Sequence, residues 1–383
     1  MLWNFIWAFL NTFSGGVVSS LAVIFISRNI LPSEFIDLST LVAVTTIGNI
    51  FIDFGSSAKC YLKKKLTDNS FRKIESNMLS RTLIVIVSIL IFCYFSNYFE
   101  KYNNFLIMLF LLDNVLLYFI FKPNIVCNRL KLFKLRTKYS TFSAIVGCSL
   151  SIILSLTVDG KFGFIALIII NPLILCVLLR RYLNIKLPEF NFEISFKIKD
   201  IIKKEFLFQL SEQLEELLRR LIFQQNLNIN LSGIYLRNES FLYSPIKIIN
   251  KAIQRVVLAS WGPTDSNKLK KVFKLGKIFF IFSFSIIGIY YFLGNFISNF
   301  VLGNRWLMSQ TLFKISAFII GLKFLSLQLA NLIKVKIKSF NFILNVSIIC
   351  SILPLIIMLI NNRLTLINVL LFYMVTLMAK NII

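Results

Sequence analysis

Residues 209–225 read QLSEQLEELLRRLIFQQ, with three glutamates and two arginines inside seventeen positions. The placement of this stretch decides the fold, because nearly everything around it is apolar. If it crosses a membrane, all later loops keep one assignment of sides; if it lies outside, each of them swaps.

The surroundings are those of an integral membrane protein. Of 383 residues, 57% are hydrophobic and 40 are phenylalanine, well above the apolar share of a soluble domain. Apolar runs of about 20 residues, each able to span roughly 30 Å of hydrocarbon, recur between basic segments. The first, LWNFIWAFLNTFSGGVVSSLAVIFIS, has no basic residue before it and no small-residue cleavage pattern after its core. It is therefore expected to be a retained span and not a signal peptide.

Twelve spans are predicted, near 2–27, 38–58, 82–99, 105–121, 139–158, 164–179, 206–229, 233–259, 278–301, 312–333, 341–360 and 364–379. Lysine and arginine should then collect in alternate loops. One set of loops, counted with the adjoining end of the eighth span, holds 32 of the 42 basic residues; the other set holds 6, namely Arg28, Lys101, Lys161, Arg237, Arg305 and Arg363. The richer side reads as cytoplasmic, which places both termini there. Removing the seventh span would invert everything after it and put a segment with 8 cations outside. The predicted class is thus all-α, a polytopic membrane protein of about 12 transmembrane helices. Its longest cytoplasmic connection falls midway and divides an N-terminal six-helix lobe (1–181) from a C-terminal one (205–383) through a linker (182–204). Two lobes around a central site suit a transporter.

Composition removes several chemistries. There are no histidines, which excludes Ser-His-Asp and Cys-His catalysis, histidine metal sites and histidine relays. The six cysteines are scattered without a CxxC pair and read as small apolar side chains. The net charge of +25 is spread among apolar runs instead of being gathered on one soluble domain, so no nucleic acid is expected as partner.

Ionisable residues inside the membrane cost about 2.5 to 3.5 kcal/mol each on insertion scales and normally face a partner or a wet cavity. In the seventh span, Glu215 and Arg219, and Glu216 and Arg220, stand four apart with the acid first, the better orientation for such pairs. Glu205, Gln209, Glu212 or Gln213, Glu216, Arg220 and Gln224 recur at helical steps and form one polar stripe. An amphipathic helix lying on the cytoplasmic surface would show the same periodicity. In the eighth span Lys247, Lys251 and Arg255 share a face, either snorkelling toward lipid phosphates or facing substrate. Lys314 and Lys323 are nine positions apart and point in opposite directions, so at least one must pair or snorkel. Asp53 suits a local structural role, whereas Asp113 lies mid-span among apolar neighbours.

Several stretches then line up with a family. ISRNILPSEF (residues 26–35) resembles the segment after the first helix of Wzx-type bacterial polysaccharide flippases, members of the multidrug/oligosaccharidyl-lipid/polysaccharide (MOP) exporter superfamily. IDFGSSAKCYLKKK (52–65), FKPNIVCNRLKLFKLR (121–136), LSGIYLRNESFLYSPIKIINKAIQRVVLASWGP (231–263) and VLGNRW (301–306) are similar to further segments of that family, in order and on the twelve-helix plan. Ile36 stands where a glycine would be expected, and Arg219 where an acid is often found.

The resemblance implies a flippase that carries undecaprenyl-diphosphate-linked oligosaccharide, such as an O-antigen repeat unit, from the cytoplasmic to the periplasmic leaflet of the bacterial inner membrane by alternating access. Arg219, Arg220, Lys247, Lys251 and Arg255 would attract the diphosphate. Glu212, Glu215 and Glu216, with Gln209, Gln224 and Asp113 as further polar cavity residues, would tune the cations or couple transport to an H+ or Na+ gradient. No cofactor or metal is expected; the partners would be the lipid-linked substrate, membrane lipids and other glycan-assembly membrane proteins. The alternatives are a membrane-embedded glycan polymerase or acyltransferase, disfavoured by the short outer loops and missing histidine, and a small-molecule exporter of the same fold.

Overall fold

The computed structural model describes residues 2–62, 67–97, 104–130, 132–186, 188, 200–226, 228–260, 268–334 and 366–382. Among them the chain forms α1 (Leu2–Ser27), α2 (Pro32–Asp53), α3 (Ser56–Leu62), α4 (Asp68–Phe95), α5 (Asn104–Arg129), α6 (Phe133–Thr157), α7 (Gly160–Leu183), α8 (Asp200–Asn226), α9 (Ile229–Ser260), α10 (Lys268–Leu302), α11 (Gln310–Lys334) and α12 (Leu366–Ile382), with a 3-10 turn at Asn304–Trp306. No strand occurs among the described residues. Each predicted span that falls on them is helical, the second being divided between α2 and α3 by a turn at Phe54 and Gly55; the eleventh, near 341–360, lies outside the described residues, as does most of the 182–204 connection.

Five helices, α2, α4, α6, α8 and α10, start six or more residues before their predicted spans, and two of these starts carry caps. α2 opens at Pro32, whose fixed φ suits a first helical position, and the Leu31 amide donates to Glu34 Oε2 at 3.2 Å, the reciprocal half of a capping box. α4 opens at Asp68, where Thr67 Oγ1 accepts the Ser70 amide at 3.3 Å. Hydropathy marks where a helix meets lipid; of these two starts, Asp68 is exposed and Pro32 is buried against another helix.

Among the described residues, α2, α4, α5, α6 and α7 are each long and apolar enough to cross a membrane, and a bent pair of segments within α10 makes a sixth. Large apolar side chains point outward, Phe95 and Phe292 both at 79% exposure. Water would penalise that surface and a bilayer does not.

By packing, the chain forms two compact units. One comprises Met1–Asn29 and Leu41–Gln213; the other comprises Ile30–Thr40 and Leu214–Ile383.

In the first unit, α6 packs on α1 and α7, and α5 on α7 and α4. The α6–α7 approach is close because Gly147 leaves no side chain: a Cβ there would lie 3.1 Å from the Asn171 backbone nitrogen. Beside it Ser143 Oγ donates to Asn171 Oδ1 at 2.8 Å. The five described cysteines are free and buried, as small apolar side chains should be.

Three arginines in this unit close helix carbonyls. Pro123, inside α5, has no N–H for the carbonyl of Phe119; Arg180 supplies the missing donors, from Nε at 3.1 Å and Nη2 at 2.7 Å. Arg81 Nη1 donates to the carbonyls of Ile52 and Asp53, at 3.1 and 3.2 Å, where α2 ends. Arg129 Nη1 donates to the Cys60 carbonyl at 2.7 Å. Asp53 accepts the Ser57 amide at 3.0 Å and its hydroxyl at 2.6 Å, the local structural role expected of it.

The second unit is knit where the family-like stretches meet. Phe35 stacks edge-on against the buried Trp306 at 5.8 Å, and the Arg237 guanidinium lies over the Phe35 ring, 5.7 Å from its centre. Asn238 Nδ2 donates to the Trp306 carbonyl at 2.9 Å, which Gly303, at φ +87°, turns into place. Gly233 of α9 abuts the Pro32 carbonyl so closely that a Cβ would collide with backbone. Arg237, counted in a loop by the sequence, is thus a buried helical residue, 2% exposed.

Two outcomes follow for purified protein in detergent. Arg180→Ala strands the Phe119 carbonyl and should lower unfolding free energy by about 1–3 kcal/mol; adding Pro123→Ala, which restores an N–H at that turn, should recover part of the loss, and a strictly additive double variant would refute the clamp. Gly233→Ala should cost about 1–3 kcal/mol or prevent folding, whereas Gly288→Ala, which meets nothing within 4 Å, should leave thermal stability unchanged or slightly raised.

Candidate functional site

α8 carries the stretch that opened the sequence reading, and in the second unit its charges are buried. Arg219 is 2% exposed and Glu215 6%, with Ile222 and Phe223 fully covered. A helix resting on a membrane surface would leave such charges in water; Glu215 and Arg219 are instead covered by protein, in a network with partners on α12 and α9.

At its centre Glu239, from α9, bridges two cations. Arg219 Nη1 donates to Glu239 Oε2, and Lys323 Nζ of α11 donates to Oε1 at 3.2 Å. Aromatic faces enclose both: the Arg219 guanidinium lies 5.1 Å from the Tyr373 ring centre and 5.9 Å from that of Phe223. Lys323 lies 5.3 Å from Tyr243 and 5.8 Å from Tyr373. Desolvated cation–π contacts of this kind contribute about 2 kcal/mol each. The Tyr373 hydroxyl donates to Glu215 Oε1 at 2.5 Å, extending the network to α12.

Arg220 is held separately. Its Nη2 pairs with Glu216 Oε1 at 2.5 Å, the i,i+4 pair expected from the sequence, while Nη1 donates to the Ser39 carbonyl. One turn on, Gln224 Nε2 donates to Asp37 Oδ1 at 2.5 Å. Ser39, Glu216, Arg219, Arg220, Glu239 and Lys323, among others, line a narrow cavity of about 20 Å³, room for about one water. Three cations and two carboxylates line it, and Glu215, joined through the Tyr373 hydroxyl, is the third carboxylate of the network. Such a network favours one arrangement of the helices, and removing a single partner would leave an uncompensated buried charge at a cost of about 3–5 kcal/mol.

The other expected residues are placed less centrally. Gln209 is exposed and Glu212 half-buried, and both belong to the part of α8 that packs with the first unit. Asp113 accepts Asn49 Nδ2 at 2.8 Å, and Asn114 donates to Asn49 Oδ1 and the Thr45 carbonyl at 2.9 and 3.0 Å; this joins α2 to α5 inside the first unit. Lys247, Lys251 and Arg255 lie on α9 at helical spacing, with side chains outside the described residues. Lys314 faces the Tyr291 ring at 5.0 Å while Lys323 is paired, the divergence their spacing predicted. No group of metal-ligating residues occurs among the described residues.

Glu239 and Tyr373 were missed by sequence reasoning. An acid within the eighth span was the available signal for Glu239, by the same argument applied to Asp113. Tyr373, one aromatic among many, gave none.

Comparison with solved structures places this architecture. The chain is similar to the lipid II flippase MurJ in an inward closed conformation (TM-score 0.68, 14% identity, covering 98% of this chain and 86% of that one). It is also similar to the MATE multidrug transporter DinF-BH (0.61, 16%, 99% and 92%) and to an inward-facing MATE family transporter of the MOP superfamily (0.59, 13%, 98% and 95%). At such identities the likeness is one of fold: the all-α, two-lobed polytopic membrane fold expected from the sequence. No curated protein matches the chain by sequence. The sequence model of one family, described as polysaccharide biosynthesis protein, matches residues 25–311. That span takes in each stretch that suggested the family at the outset, and the chain belongs to the polysaccharide biosynthesis protein family.

Proposed function

We propose that this protein is a flippase that moves an undecaprenyl-diphosphate-linked oligosaccharide from the cytoplasmic to the periplasmic leaflet of the bacterial inner membrane. The observation that carries the reading is the cavity bearing Arg219, Arg220 and Lys323 in a membrane chain of the polysaccharide biosynthesis family. A lipid-linked sugar presents two phosphates and a polar glycan. It needs cations where water is scarce, and guanidinium supplies paired hydrogen bonds while ammonium supplies a point charge. Lys247, Lys251 and Arg255, further along α9, would extend a cationic path toward the cytoplasmic side.

Alternating access of the lobes 1–181 and 205–383 about the 182–204 linker would expose this path to each leaflet in turn. Both termini are assigned to the cytoplasm by the distribution of lysine and arginine. Glu212, Glu215 and Glu216 are candidates for coupling the cycle to an H+ or Na+ gradient. An O-antigen or related repeat unit is the proposed cargo, delivered among other glycan-assembly proteins of the same membrane.

Complementation tests the reading. In a host stripped of related flippases, expressing this chain should restore periplasmic delivery of lipid-linked repeat units; undiminished delivery in the deletion strain of its own host would refute it. Arg219→Gln and Arg220→Gln, compared at equal protein level in the membrane, should each lower surface polysaccharide by about tenfold, the effect of losing one charge-assisted hydrogen bond. Full polysaccharide from both variants would remove them from the path.

A further inference from the structure

The cavity of the second unit already holds an anion, and that anion is part of the chain. Glu239 offers one carboxylate oxygen to Arg219 and the other to Lys323. A guanidinium and an ammonium converging from different helices on two oxygens of one group is the donor set that a phosphate would use. We propose that Glu239 is an internal competitor for the phosphate position: it holds Arg219 and Lys323 when no cargo is present, and a polyprenyl diphosphate binds by displacing it. The proposal rests on the flippase reading for its ligand and adds the residue that sets the threshold for binding.

Connectivity favours exchange over a fixed structural tie. Glu239 sits on α9, Arg219 on α8 and Lys323 on α11, so a single carboxylate joins three helices, and its release would loosen all three together. The carboxylate is buried, 4% exposed, and borders a small cavity that Ser240, Tyr243 and both of its cations also line. Arg220, on the same wall, keeps its own carboxylate, Glu216. Departure of Glu239 leaves Arg219 and Lys323 without the carboxylate that bridged them, while Arg220 keeps Glu216, and the cavity then favours a multivalent anion.

Selectivity follows from the competition. A neutral isoprenoid offers nothing to replace the carboxylate. A diphosphate carries more charge than the single carboxylate it replaces and has enough oxygens to engage Arg219 and Lys323 at once. The resident carboxylate thus works against weak anions, a repulsive element built into the site.

The test is binding to the full-length protein in lipid nanodiscs, with farnesyl diphosphate as probe and farnesol as the uncharged control. Glu239→Gln should bind farnesyl diphosphate about tenfold more tightly than the wild type, the size expected for one released charge-assisted contact, with farnesol unchanged. Adding Lys323→Met should cancel the gain. A folded Glu239→Gln that binds the diphosphate no better than wild type, or that gains equally for farnesol, overturns the proposal. If Glu239→Gln does not fold, Glu239→Asp, which shortens the bridge by one methylene, should show a smaller gain in the same assay, and a flat result there overturns it equally. A wild type that complements while these variants show no gain rejects the competitor and spares the flippase reading; a wild type that neither complements nor binds farnesyl diphosphate in any variant rejects both.

Discussion

Inside hydrocarbon, a peptide carbonyl or a formal charge can be satisfied only by the protein itself, and this constraint organises the molecule. It explains why the arginines do more than set topology. Arg180 replaces the donor that Pro123 lacks, Arg81 closes the end of α2, and Arg129 closes α3. Arg220 likewise reaches the Ser39 carbonyl. Residues that the positive-inside rule counts as markers of sidedness are, at these positions, structural donors. Their planar forks suit the task, because one side chain can serve two carbonyls or one carbonyl twice.

The stretches that reveal the family serve the same constraint. Phe35, Gly233, Arg237, Asn238, Gly303 and Trp306 come from three separated motifs and meet in one joint of the second unit. Their spacing is that of a packing solution. A likeness carried by such residues therefore speaks to fold, and discrimination among substrates must reside elsewhere. The charges of Arg219 on α8 and Lys323 on α11 lie outside those motifs.

The spans were legible because apolarity and helicity coincide wherever lipid surrounds the chain; α1 follows its hydrophobic run to both ends and α7 to within four residues. They diverge where polar residues continue a helix, exposed as at Asp68 or packed on another helix as at Pro32, and those starts were missed. The site was legible only where pairing is local. Glu216 with Arg220 follows from a spacing of four on one helix. Arg219 with Glu239 does not, because a side chain chooses between its own helix and a neighbour according to how the helices pack. Sequence spacing paired Arg219 with Glu215; the structure gives Glu215 the Tyr373 hydroxyl and gives Arg219 a partner twenty positions away.

The balance of three cations and three carboxylates also changes what the cations mean. Read along the sequence, Arg219 and Arg220 look like free hooks for phosphate; in the folded unit each is already engaged. Buried pairs add little net stability, because desolvation offsets their attraction, but they penalise every arrangement that separates them. A transporter must hold one arrangement firmly when empty and leave it when loaded. A neutral network meets the first requirement by itself. It meets the second only if the cargo can take over one of its roles, and an anionic cargo can take over the role of a carboxylate. The same bridge that makes α8 tolerable in the bilayer would then make its release depend on what arrives in the cavity.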